Sequence, residues 1–254
     1  MQRRFQEAAA PDVWARPIVL IMGTRAMFVG HGMQLSPHRL AVATLVIAFD
    51  APFSLALLES GKEVNGRIAV IPPETLHELK TEGRMVFLYL DASSDDYAAL
   101  GHSDLRGVEH KINQVLTWLQ DAASINSGAI VDRICRDLDL PQRAPCDSRI
   151  VAALRAIDAA PHVFTTIGQA AEIAGLSVPR FQHLLKAETG TSFRRYRLWR
   201  RMAVVARALA EGQTLTNAAL DAGFSSSAHL SAAFRTMFGI KPSQLVAAKA
   251  RFIA

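Results

Sequence analysis

A pattern near residue 170 returns near residue 220, and this repeat constrains the fold more than any other feature of the chain. Ile167 matches Thr216, Ala171 matches Leu220, and Ser177 matches Ser226. Phe181 matches Leu230, Leu185 matches Phe234, Lys186 matches Arg235 and Gly190 matches Gly239, each pair 49 residues apart. Each copy opens with an Ala-rich stretch, "IGQAAEIAG" or "LTNAALDAG", and turns at Gly175 or Gly223. A serine, Ser177 or Ser226, then caps a second helix that runs to a glycine. Small residues let two helices cross closely, and glycine permits the sharp turn between them, so each copy reads as a helix-turn-helix. In the second helix Phe181, Leu184 and Leu185 share one face, as do Leu230, Ala233, Phe234 and Phe238. Helical spacing predicts that both sets face a local core. The opposite faces carry Arg180, Gln182 and His183, and Ser227, His229 and Ser231. Small or hydrogen-bonding side chains near a helix N-terminus suit a helix that approaches base edges in a major groove.

The segment between the copies, "TSFRRYRLWRRMAVVARALAEG", predicts a helix with Thr191 or Ser192 as cap and Gly212 as stop. About 20 residues span ~30 Å, close to the ~34 Å between successive major-groove faces of B-DNA. Arg194, Arg195, Arg197, Arg200 and Arg201 crowd this helix, some to meet phosphates and others to pair with acids. From 148 onward the chain reads as entirely helical, in pieces at 148–159, 166–174, 177–187, 192–211, 215–222, 226–237 and after Pro242. Charge divides at the same place. Residues 1–147 hold 14 Lys and Arg against 18 Asp and Glu, whereas residues 148–254 hold 14 against 5. A basic half beside a mildly acidic one points to a polyanionic partner for the second half alone.

Before residue 91 the pattern is different. "RLAVATLVIAF", "FSLALL", "GRIAVIPP" and "MVFLYLDA" are short apolar runs bounded by turn residues, which predicts a small antiparallel sandwich or barrel. Residues 5–30 are expected to add further strands. Near 105 the period becomes helical: Leu105, Val108, Ile112, Val115 and Leu119 form one stripe. The stripe suits a dimer seam or packing on the chain's own barrel, and the dimer is favoured because DNA readers are commonly two-fold. A second helix is predicted after Ser127, with Ile130, Ile134 and Leu138 on one face. "LPQRAPCDS", with two prolines, reads as a linker at 140–148. Cys135 and Cys146 make no CxxC motif and suit reduced thiols. The apolar run 17–23 is too short for a signal core or a membrane span. A cytoplasmic protein is expected.

On these residues the stretch 148–254 resembles the AraC/XylS family of bacterial transcription regulators. The matching text is "AAEIAGLSVPRFQHLLKAETGTSFRRYRLWRRM" followed by "AALDAGFSSSAHLSAAFRTMFGIKPSQL". The resemblance implies double-stranded DNA as partner, contact with RNA polymerase, and a homodimer. Carried over by position, the DNA-binding candidates are Pro179, Arg180, Gln182, His183 and Lys186, then Ser227, Ala228, His229, Ser231, Ala232 and Arg235. Leu185 stands where the family usually has Phe, and Ala232 where many members carry a longer polar side chain. The order strands, "AVIPPETLHEL", strands, helices resembles the family's cupin-like effector domain, with Glu74 where the cupin turn has glycine. The implied fold is α+β. Residues 1–140 form a cupin-like β-barrel or sandwich with dimerisation helices, and 148–254 form an all-α domain of two helix-turn-helix units joined by a long helix. His38, Arg39 and His77 are the candidate contacts to a small-molecule effector. No HxH pair, phosphate loop, GxSxG or HExxH is present, so no catalytic residue, metal or cofactor is expected. A cupin-type enzyme with a helical accessory domain, and a regulator that binds only protein partners, are the alternatives.

Overall fold

The computed structural model describes residues 14–91, 109–120, 129–138 and 146–254. Residues 5–13, Leu105, Val108, Ser127 and most of the expected linker lie outside the described residues. The first region holds β1 (Ile18–Met22), β2 (Arg25–His31), β3 (Leu35–His38), β4 (Ala43–Ala48), β5 (Phe53–Leu57), β6 (Lys62–Gly66), β7 (Ile68–Ile71), β8 (His77–Lys80) and β9 (Arg84–Leu90). The helices α1 (Glu109–Gln120) and α2 (Ala129–Asp137) follow. The second region holds α3 (Ser148–Ala159), α4 (Ile167–Ile173), α5 (Val178–Thr189), α6 (Phe193–Ala210), α7 (Leu215–Asp221), α8 (Ser227–Phe238) and α9 (Pro242–Ala247), then β10 (Arg251–Ile253).

The strands form two sheets. One has six strands in the order β10-β1-β2-β9-β4-β7, and the other has four in the order β3-β8-β5-β6. Both faces of the larger sheet are covered, which is why β9 reads as an unbroken apolar run and not as an alternation. Val86, Leu88 and Leu90 point to one face, where they join Ile112, Val115 and Leu119 of α1 and Ile130, Ile134 and Leu138 of the α2 segment in one core. Met85 and Phe87 point to the other face, toward Phe53, Leu55 and Leu79 of the smaller sheet.

Three expectations are corrected here. Ile112, Val115 and Leu119 are 0% exposed within the single chain, so this stripe closes the chain's own barrel and is not free to be a dimer seam. The second region is not all helical: Arg251, Phe252 and Ile253 pair in parallel with Ile18, Val19 and Leu20. The two regions thus share a sheet. The repeat is also not uniform. The buried pairs Ala170–Ala171 and Ala218–Ala219 place the first helices 48 residues apart, whereas α5 and α8 start 49 apart at Val178 and Ser227. The extra residue lies in the second turn, so Ala171 corresponds to Ala219 and not to Leu220.

Candidate nucleic-acid interface and interdomain cavity

Each helix-turn-helix presents one face to solvent. In α5, Phe181 and Leu185 are buried, while Pro179, Arg180, Gln182, His183 and Lys186 are exposed. Arg180, Gln182 and His183 have no partner among the described residues. Lys186 donates to the carbonyl of Gly190 at 2.6 Å and so caps its own helix. In α8, Ala228, His229, Ala232 and Arg235 are exposed, with Ser227 and Ser231 half-buried. The Ser226 hydroxyl accepts from the His229 N–H at 3.1 Å, which closes the helix start. The His229 ring is held by the Ser225 hydroxyl at 3.0 Å from Nδ1 and by an edge contact to Phe224. Ser177 stands at the corresponding cap of α5 without a side-chain bond.

The α6 arginines are mostly engaged inside the protein. Arg200 lies 3.3 Å from Asp91 and also pairs with Asp158, and its other nitrogen donates to the Gly23 carbonyl at 3.1 Å. Arg201 donates to the Ala222 carbonyl at 2.7 Å and stacks over Phe224. Arg197 donates to the Pro161 carbonyl, and Arg195 pairs with Glu74 at 2.7 Å. Of the five, Arg194 alone is exposed and without a partner among the described residues. Its sequence neighbours build the fold and are not a phosphate grip.

Asp91 and Asp158 form a buried cluster with α6. Trp199 donates Nε1 to Asp91 at 2.9 Å, and the Tyr196 hydroxyl lies 3.1 Å from Asp91 and 2.9 Å from Asp158. Burial raises the Asp158 carboxyl to about 6; Arg200 opposes this and Asp91 adds to it.

The smaller sheet meets the second unit. His38 and His77 face each other across β3 and β8, both buried, with ring centres 4.1 Å apart. Each donates Nδ1–H to a backbone carbonyl, that of Ser36 at 2.8 Å and that of Thr75 at 2.9 Å. Burial, then the neighbouring His77, lowers His38 to about 4, and burial lowers His77 as well. Arg39 pairs with Glu59 at 2.9 Å and donates to the Glu74 carbonyl. Among the described residues no group of three His, Cys, Asp or Glu is placed to hold a metal.

Glu74 occupies the expected glycine position of the barrel turn with φ of 63°, a conformation that costs a non-glycine residue about 1 kcal/mol or more. Its carboxylate accepts from Thr191 and pairs with Arg195 at the start of α6.

A cavity of about 90 Å³ lies between the regions, several times the ~10–15 Å³ that one water needs. Its floor is the inner face of the larger sheet, at Ala26, Phe28, Phe87 and Tyr89; its wall is α6, at Trp199, Met202 and Ala206; and Phe234, Phe238 and Phe252 close it. None of His38, Arg39 and His77 lines it, because β3 and β8 carry them away on the other sheet. Phe234, expected in the core of α8, is half-buried: it packs against the helical core that holds Leu230 and Met237, both 0% exposed, and it also borders the cavity.

The paired turns, the αL glycines after α5 and α8, and the free faces match a known domain. Residues 170–248 match the sequence model of a helix-turn-helix domain. No curated protein matches the chain in sequence. The whole fold is similar to that of ToxT from Vibrio cholerae O395, with TM-score 0.59 and 9% identity, covering 92% of this chain and 96% of that one. It is similar to ToxT of strain SCE256 bound to an unsaturated fatty acid, with TM-score 0.56, 9% identity and coverages of 90% and 92%. A third ToxT structure, bound to (E)-4-(8-methylnaphthalen-1-yl)but-3-enoic acid, gives 0.59, 11%, 89% and 99%. At these identities the likeness shows the fold alone: a sheet-rich first region joined to a helical region with two helix-turn-helix units. No described helix is long and apolar enough to cross a membrane.

Proposed function

We propose that the protein is a sequence-specific, double-stranded DNA-binding transcription regulator that responds to a small molecule. The observation that carries this reading is the pair of solvent-facing recognition helices, α5 and α8, joined by the 18-residue α6. At 1.5 Å per residue α6 spans ~27 Å, near the ~34 Å between successive major-groove faces. Arg180, Gln182 and His183 would read base edges in one groove. His229, with the slim Ala228 and Ala232 beside it, would enter the next with fewer hydrogen bonds, which predicts a stronger and a weaker half-site. The N-terminal region would receive the effector, and the cavity is its natural place; ToxT is a structural neighbour that has been seen with acids bound. The stripe of α1 is spent on the barrel, so a homodimer would use another surface. The cytoplasm is where such a regulator would act.

The test is selection from a random double-stranded DNA library by the full chain at two salt concentrations. A motif of two sub-sites about one helical turn apart is expected. Binding that enriches no motif and vanishes as salt rises would sink the reading. At the selected site Gln182→Ala or His183→Ala should cost ~1–3 kcal/mol, with random DNA little affected.

A further inference from the structure

We infer that the interdomain cavity takes an uncharged molecule with an aromatic or branched hydrocarbon body and one oxygen acceptor, which bonds the Tyr89 hydroxyl. This rests on the effector reading above and narrows it to a chemical class.

The lining contains no Lys, Arg, His, Asp or Glu. It offers two conventional side-chain donors, Trp199 Nε1 and the Tyr89 hydroxyl. The indole N–H is already given to Asp91 at 2.9 Å. The Tyr89 ring is fixed by Phe87, Trp199 and Phe238, with centroids at 6.5, 5.6 and 6.0 Å. Its hydroxyl has no hydrogen-bond partner among the described residues. Tyr89 is half-buried and lines the cavity, so a ligand oxygen there would give its hydroxyl the hydrogen bond that no described residue supplies. Burial raises the phenol above its ordinary value, so it stays a donor at any working pH.

The same lining rejects anions. Arg200 and Arg207, on the helix that forms the wall, are turned to Asp91, Asp158 and the Gly23 carbonyl. A carboxylate would enter an apolar space with no cation and one hydroxyl, and charge burial without a partner is strongly disfavoured. A ketone, ester or ether of similar shape loses little water and meets the one free donor. Rings are favoured because Phe87, Tyr89, Trp199, Phe234 and Phe238 present faces and edges for stacking.

The experiment is calorimetric titration of the full chain at pH 8 with three probes of one shape: acetophenone, ethylbenzene and benzoate. Acetophenone should bind about fivefold more tightly than ethylbenzene, and benzoate should not bind. Tyr89→Phe removes only an unpartnered hydroxyl, so the fold should stand. It should lower acetophenone affinity to that of ethylbenzene and leave ethylbenzene unchanged. Ala206→Phe, which fills the cavity from α6, should abolish binding of both. Benzoate binding as tightly as acetophenone, a Tyr89→Phe protein that binds all three as before, or no binding of any probe to the parent protein would each overturn the inference. The regulator reading fails separately, on DNA selection without a motif, whatever these titrations give.

Discussion

The two helix-turn-helix units share a design and differ in how the barrel holds them. In the first, Leu185 is 1% exposed and belongs to the helical core. The unit meets the barrel through polar groups: Thr191 and Arg195 at Glu74, and Tyr196, Trp199 and Arg200 at Asp91. In the second, the corresponding Phe234 is only half-buried, packing against the helical core on one side and facing the cavity on the other. The end of α8 is pressed against β3, with Ser36 N–H donating to the Gly239 carbonyl at 3.1 Å. Ile240 and Leu245 enter the barrel's own apolar core. One unit is thus clipped to the barrel by polar contacts, and the other is built into the wall of the cavity. A ligand between the regions would act on the second directly and on the first through α6.

Leu185→Ala should show the largest effect, ~2–5 kcal/mol by denaturant unfolding, because the residue is enclosed. Phe234→Ala should cost less, since its ring already borders empty space. Equal losses would erase the distinction between the units.

The pH responses should have opposite signs. In the unfolded chain His38 binds a proton near 6.5, whereas in the fold it stays neutral to about 4. Unfolding takes up a proton between those values, so stability is full above about 6.5 and falls by ~3 kcal/mol as pH drops through the window. Asp158 behaves in reverse. Its folded value of about 6 exceeds 3.8, so it contributes stability below 3.8 that is lost as pH rises to 6. The two groups therefore move overall stability in opposite directions as the pH falls. His38→Leu should shrink the acid loss in thermal melts; an unchanged profile would remove His38 as its source.

Gly239→Ala should cost ~2–3 kcal/mol. Its φ is 74°, and an added Cβ would stand 2.5 Å from the Ser36 carbonyl oxygen. Faster amide exchange in β3, with α5 unaffected, would locate the damage. The smallest effect is expected from Glu74→Gly, within ~1 kcal/mol of the parent. Relief of the left-handed backbone offsets the lost pair with Arg195, while exchange at the start of α6 should rise.

What could be read in advance follows from range. Helix starts and ends rest on neighbours in sequence, and Ser226, Gly190 and Gly239 mark them locally. The edge strand β6 ("KEVNG") and the short inner strand β8 ("HELK") carry no run of apolar residues and gave no signal. The exposed faces of α5 and α8 follow from helical period alone. The cavity does not, because β2, β9, α6, α8 and β10 meet there only after folding. Tyr89 within "MVFLYL" reads as one more strand residue. The clue that was available is Phe234, an aromatic where the first copy has Leu185.

The pairing of Ile18 with Arg251 also bears on biogenesis. During synthesis the barrel emerges first, with β1 as a bare edge, and must wait while both helical units are made. Such an edge invites pairing with a neighbouring chain, and contacts between distant parts of a sequence form late. The nascent chain should therefore depend on chaperones until residues 251–253 have emerged from the ribosome.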